Sequence, residues 1–141
     1  MTETTHHEIQ IFTDGGSRKN PGPSASGFVL KAMDGSLIEA GGAYLGITTN
    51  NQAEYHAVRL ALERALEIQA RVIHIYMDSL LVCNQLTGIY KIRNRDLWPI
   101  HATIKELLQK FESYTIEHVY RDKNTEADAE VNRILDEQAQ S

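Results

Sequence analysis

Four carboxylates stand where a folding chain ordinarily avoids placing them. Asp14 closes the run Glu8-Ile9-Gln10-Ile11-Phe12-Thr13-Asp14, and Asp78 closes Val72-Ile73-His74-Ile75-Tyr76-Met77-Asp78. Both runs read as short β-strands with the acid at the C-terminal end, the edge where open α/β sheets bind ligands. Glu54 and Asp128 fall on the first turn of predicted helices, on or beside the apolar face. Acids gathered at one edge repel each other unless something positive lies among them, and hard cations are the usual answer.

The ligand types narrow the metal. The chain has six His, but His6-His7 lie in the polar start and the others show no paired zinc spacing; a single Cys excludes a thiolate cage. An all-oxygen site suits Mg²⁺ or Mn²⁺, commonly two ions that activate a water and stabilise the leaving oxygen of a phosphodiester. The glycine-rich stretch 15–22 carries neither the dinucleotide fingerprint nor the Gly-Lys-Ser/Thr ending of a P-loop.

Each acid also has a plainer reading. Asp14 precedes Gly-Gly, as turn residues do. Glu54 fits the third position of a capping box opened by Asn51, and Asp128 the same position after Thr125. Asp78 before Ser79 suits a helix cap. Four such acids, two at strand ends and two at helix starts, are harder to explain one by one.

The elements that must hold them follow from periodicity and turn residues. Strands are expected at roughly 8–14, 25–33 and 37–45, with Asp34-Gly35 as a hairpin turn. A helix follows at about 52–69, its stripe Ala57, Val58, Ala61, Leu62, Ala65 and Leu66 facing a sheet. Then come a strand near 71–77, a short helix near 79–87 ending at Gly88, and a basic connector from Tyr90 to Asp96. A helix near 97–112, a strand at about 114–119 and a helix at about 125–138 complete the order. Hairpin strands followed by alternating helices and strands imply an α/β mixed sheet with helices packed on it.

Composition frames the partner. At 141 residues, 42% hydrophobic and 23% charged, one domain over 8–138 after a polar extension 1–7 is expected. No stretch approaches the roughly 18 apolar residues of a membrane span, the start lacks an apolar signal core, and one Cys suits a reducing compartment, so the cytoplasm is expected. A net charge of −5 argues against broad polyanion binding, so a nucleic-acid site must be a local basic patch aided by metal.

Four motifs carry a resemblance. Thr13-Asp14-Gly15-Gly16-Ser17-Arg18-Lys19-Asn20-Pro21-Gly22-Pro23, Thr49-Asn50-Asn51-Gln52-Ala53-Glu54, Met77-Asp78-Ser79, and Asn124-Thr125-Glu126-Ala127-Asp128 with Asn132 resemble, in order and spacing, the motifs of type 1 ribonuclease H. The match covers about residues 8–136, and the short 88–97 connector looks most like compact archaeal and bacterial members without a basic protrusion. The resemblance implies the ribonuclease H-like fold: three antiparallel hairpin strands plus two parallel strands in one sheet, with helices on both faces. It implies hydrolysis of the RNA strand of RNA/DNA hybrids to 5′-phosphate and 3′-hydroxyl ends, with Asp14, Glu54, Asp78 and Asp128 as the catalytic acids holding two Mg²⁺ or Mn²⁺ ions. Asn20, Thr49, Asn50 and Asn51 carry over as substrate contacts, short polar groups suited to a minor groove lined by 2′-hydroxyls. A monomer is expected, with double-stranded RNA as a further substrate to test. The alternative is a binding module of the same fold with weak or no hydrolysis, which an intact acid quartet disfavours.

Three departures stand out. Lys19 occupies a position where the family usually has Gly. Leu80 replaces a polar substrate contact of many members. The family's loop His, thought to assist product release, is missing from Tyr120-Arg121-Asp122-Lys123, which leaves Arg121 first and Lys123 second as phosphate-binding substitutes. His118 falls within a predicted strand, where a packing role is the plainer one.

Overall fold

Alternation in β1 (Glu8–Ser17) buries Ile9 and Ile11 on one side, and a computed structural model describing residues 6–140 places this strand at the centre of a five-stranded sheet. Of the polar stretch 1–7, residues 1–5 lie outside the described residues. The His7 carbonyl accepts hydrogen bonds from the Arg71 and Val72 N–H groups, so pairing begins there.

β2 (Gly22–Ala32) pairs antiparallel with β1, and β3 (Leu37–Thr48) pairs antiparallel with β2, while β4 (Val72–Met77) pairs parallel with β1 and β5 (Ser113–His118) parallel with β4; the order is β3-β2-β1-β4-β5. The hairpin forms at Asp34-Gly35. Gly35 has φ 91°, which suits its missing side chain, and Asp34 Oδ1 accepts from the Ser36 N–H.

Helix α1 (Asn50–Glu67) lays its apolar stripe over β1, and with α2 (Leu80–Leu86) and α3 (Trp98–Leu108) it closes the main core on Ile9, Ile11, Ile73 and Ile75. Helix α4 (Thr125–Ala139) covers the opposite face, packing Val131 and Leu135 against Ala25. Helices thus lie on both faces, as expected. No helix among the described residues is long and apolar enough to cross a membrane.

The differences from expectation lie at element ends. β1 runs past Asp14 through Gly15-Gly16-Ser17, because these residues pair with Ser26, Ala25 and Ser24 of β2 rather than turning. The ladder's hydrogen bonds override the turn preference of Gly-Gly. A 3₁₀ turn over Arg95–Leu97 precedes α3, which starts with Pro99 in its first turn, where a missing N–H costs nothing.

Candidate active site

Parallel pairing of β1 with β4 ends at Thr13 opposite Met77. Asp14 and Asp78 therefore follow directly on neighbouring strands, side by side at the point where the two chains part. Asp14 is not at a strand end, as expected from sequence, but at the end of one ladder and inside another.

Glu54 reaches them because α1 comes close to β1. A side chain at Gly15 would meet the Ala53 carbonyl carbon at 2.2 Å, so only glycine admits the helix. The Ser26 hydroxyl donates to the Ala53 carbonyl at 2.6 Å and ties the helix start to β2. One carboxylate oxygen each from Asp14, Glu54 and Asp78 lie within 4.8 Å of one another. Asp128, a turn into α4, lines the same cavity of about 300 Å³ and accepts from Asn132 Nδ2 at 3.3 Å.

The capping alternatives do not hold. Thr49, not Asn51, caps α1, accepting from Gln52 N–H at 3.2 Å, which leaves Glu54 beyond the capping box. Ser79 caps α2 in place of Asp78. Asn124, not Thr125, opens α4, and its side chain makes no cap bond.

Burial and crowding shape the electrostatics. Asp14 is pushed up to about 8, first by burial, then by the Asp78 charge and by Asp128, which shares a hydrogen bond with it; the Gly15 N–H opposes this. Glu54 is raised well above the usual carboxylate range by burial and by Asp14 and Asp78, with the Arg121 guanidinium pulling the other way. A partly buried cluster of carboxylate oxygens, with no His or Cys lining its cavity, fits a hard divalent cation.

The polar candidates divide. Asn20 Oδ1 accepts from Asn50 N–H at 3.0 Å, and Asn50 Oδ1 accepts from Ser17 N–H at 2.8 Å, joining the 18–22 turn to the start of α1. Thr49 sits beside them as the cap, whereas Asn51 lines a separate cleft with Tyr90, Lys91 and Arg93. Arg121 lines the acidic cavity. Lys123 does not, and instead flanks Phe12, Lys31 and Glu126. Arg18 is held by Asp136 at 2.6 Å, and Lys19 has φ 69°, the left-handed backbone that makes glycine the unstrained residue there. Arg95 lies over the Trp98 ring at 5.5 Å, while Trp98 Nε1 donates to the Ile92 carbonyl. His118 stacks edge-on against Tyr120 on the outer strand β5.

Residue-level reading of the sequence passed over the part played by Asn124. Its Nδ2 donates to the Thr13 carbonyl at 2.8 Å and to Asp78 Oδ2 at 3.2 Å. The available signals were its place in the fourth motif and an Asn immediately before a helix whose first turn carries Glu126 and Asp128.

Comparison with known proteins agrees with this architecture. A family model described as reverse transcriptase-like matches residues 12–134. Ribonuclease HI of Halobacterium salinarum is 43% identical over 129 residues, 92% of this chain and 65% of that protein. A bifunctional protein of Mycobacterium tuberculosis is 36% identical over 135 residues, 95% of this chain and 37% of its own length. The chain thus spans less than two thirds of these relatives. Among solved structures, RNase H1 of Halobacterium salinarum superposes with TM-score 0.90 at 42% identity, covering 92% of this chain and 98% of the other. LC11-RNase H1, solved in complex with an RNA/DNA hybrid, superposes with TM-score 0.89 at 34% identity over 93% and 99%. Sheet order, helix placement and acid cluster together define a protein of the ribonuclease H-like fold. Within that class, the chain belongs to the type 1 ribonuclease H family.

Proposed function

We propose that this protein is a metal-dependent endoribonuclease that hydrolyses the RNA strand of RNA/DNA hybrids, leaving 5′-phosphate and 3′-hydroxyl ends. The observation that carries the reading is the convergence of Asp14, Glu54 and Asp78 oxygens within 4.8 Å, on a fold that superposes on a hybrid-bound RNase H1.

Asp14, Glu54, Asp78 and Asp128 hold two divalent ions, Mg²⁺ or Mn²⁺. Two such ions, when bound, would supply Lewis acidity to activate a water and to offset the charge on the departing 3′-oxygen. The residues of the chain do the rest. Asp14 is buried and Glu54 half-buried at the floor of the cavity, which strengthens the charge interactions they make there. Asn20, Thr49 and Asn50 present short polar groups to the hybrid at the start of α1, and Asn51 extends this surface toward the basic connector. Arg121, at the cavity wall, offers a bidentate guanidinium to the freed 5′-phosphate. The working unit is a cytoplasmic monomer built on residues 8–138.

The test is cleavage of labelled hybrid, duplex RNA and duplex DNA with Mg²⁺, Mn²⁺ or EDTA, using wild-type and Asp14→Asn protein. Cleavage confined to the RNA strand of the hybrid, lost in EDTA and in a folded Asp14→Asn variant, is expected. Asn keeps the side-chain shape but not the charge that holds two cations. Substantial Mg²⁺-dependent cleavage by folded, uncontaminated Asp14→Asn would overturn the assignment of the site. Duplex RNA cleaved as fast as hybrid would overturn the substrate.

A further inference from the structure

Asn124 is 1% exposed and touches the supports of three of the four acids. One N–H of its amide reaches the carbonyl of Thr13, the peptide that carries Asp14. The amide also donates to the Asp78 carboxylate. Its own backbone carbonyl accepts the Asp128 N–H at 3.2 Å. Turning the amide over would set Oδ1 against two oxygens, so the donor orientation is the one electrostatics permits.

A purely structural role fits these contacts poorly. Asn124 stands at the start of α4, where an Asn side chain usually accepts from the first turn, yet it makes no such bond. Its Oδ1 is buried without a hydrogen-bond partner among the described residues. The side chain gives up a cap and leaves an acceptor unsatisfied in order to aim its donors at β1 and Asp78.

We infer that Asn124 is a positioning residue: its amide clamps the Asp78 carboxylate to the peptide bearing Asp14 and so sets the spacing of the cation-binding oxygens. The inference rests on the metal-dependent reading above. Groups that hydrogen-bond a ligating carboxylate from behind orient it, and their removal weakens metal binding about 10- to 100-fold.

Two variants separate the clamp from the helix start. Asn124→Ala removes the clamp and supplies no cap. Asn124→Ser supplies a good cap for α4, but its side chain is too short to bridge Thr13 and Asp78. Mn²⁺ affinity is measured by calorimetry, thermal unfolding is followed with and without Mn²⁺, and hybrid cleavage is assayed alongside. Both variants are expected to bind Mn²⁺ about 10-fold or more weakly, with a smaller Mn²⁺-induced rise in Tm and a lower kcat at a nearly unchanged KM. Should Asn124→Ala not fold, Asn124→Ser gives the reading by itself. A folded Asn124→Ser with Mn²⁺ affinity within about twofold of wild type, and Tm lowered equally with and without the ion, would overturn the inference. Wild-type protein that binds Mn²⁺ but cleaves no hybrid would overturn the proposed function, and the spacing role in catalysis with it. Wild-type cleavage with unaltered variants would overturn only the role of Asn124.

Discussion

In the cation-free protein Asp14 holds its proton to about pH 8, because burial and the neighbouring Asp78 and Asp128 all penalise its charged form. The unfolded chain loses that proton near 3.8. The folded state is therefore favoured most below 3.8, and the advantage is lost as pH rises toward 8; Glu54 acts in the same direction. In EDTA, the Tm of wild-type protein should fall between about pH 5 and 8 more steeply than that of Asp14→Asn. Mg²⁺ or Mn²⁺ at pH 8 should recover stability in wild type and little in the variant. Scanning calorimetry at several pH values checks this, and parallel slopes would show that Asp14 carries no such strain. Arg121 faces the same charges from the cavity wall. If it serves the departing phosphate, Arg121→Ala should lower kcat about 10-fold or more, equivalent to ~1.4 kcal/mol of barrier, while KM and Tm move little. Lost stability with kcat intact would make the arginine structural. The acids themselves stood out in the sequence, because each falls at the end of an expected strand or the start of an expected helix, and the fold brings Asp14, Glu54 and Asp78 together. Asn124 did not, because its contacts with Thr13 and Asp78 span the fold.

Among the elements, α1 governs the site by how closely it approaches β1. Gly15→Ala should force the two apart, since the new methyl would meet the Ala53 backbone at 2.2 Å and backbone cannot step aside as a side chain can. A stability loss of about 2 kcal/mol or more is expected, with hybrid cleavage reduced further by the displaced Glu54. Denaturant unfolding and kcat together check it, and a near-neutral substitution would mean that α1 can shift without consequence. The helix stripe from Ala57 to Leu66 was readable because it repeats at 3.6 residues, and its burial follows that pattern. The cap was misread as Asn51, since Thr49, Asn50 and Asn51 are all good capping types and only geometry chooses among them. β1 was read three residues short for a related reason: Gly15-Gly16 looks like a turn until β2 supplies a partner.

Over the whole molecule, a net charge of −5 leaves affinity for a polyanion to local patches. The connector between α2 and α3 is one, with Lys91 and Arg93 along a cleft of about 480 Å³ that also reaches Asn51. Arg95 stands over Trp98 nearby. Neutralising Lys91, Arg93 and Arg95 together should raise KM for hybrid and flatten the salt dependence of binding by up to about three counterions. An unchanged KM and salt slope would reduce the connector to a solvated turn. The sequence by itself determined the donor atoms, and with them a hard-cation chemistry, because oxygen, nitrogen and sulfur ligands are properties of residue type. It also determined the order of strands and helices, since hydrophobic period and turn residues act over a few positions. Only the tertiary structure decided that β4 lies parallel to β1 with Thr13 opposite Met77, setting Asp14 beside Asp78. It alone admitted Arg121 to the acidic cavity and kept Lys123 outside. It alone joined Asn124 to Thr13 across 111 residues of chain. Such distances are set by how whole faces pack, and no local pattern of residues encodes them.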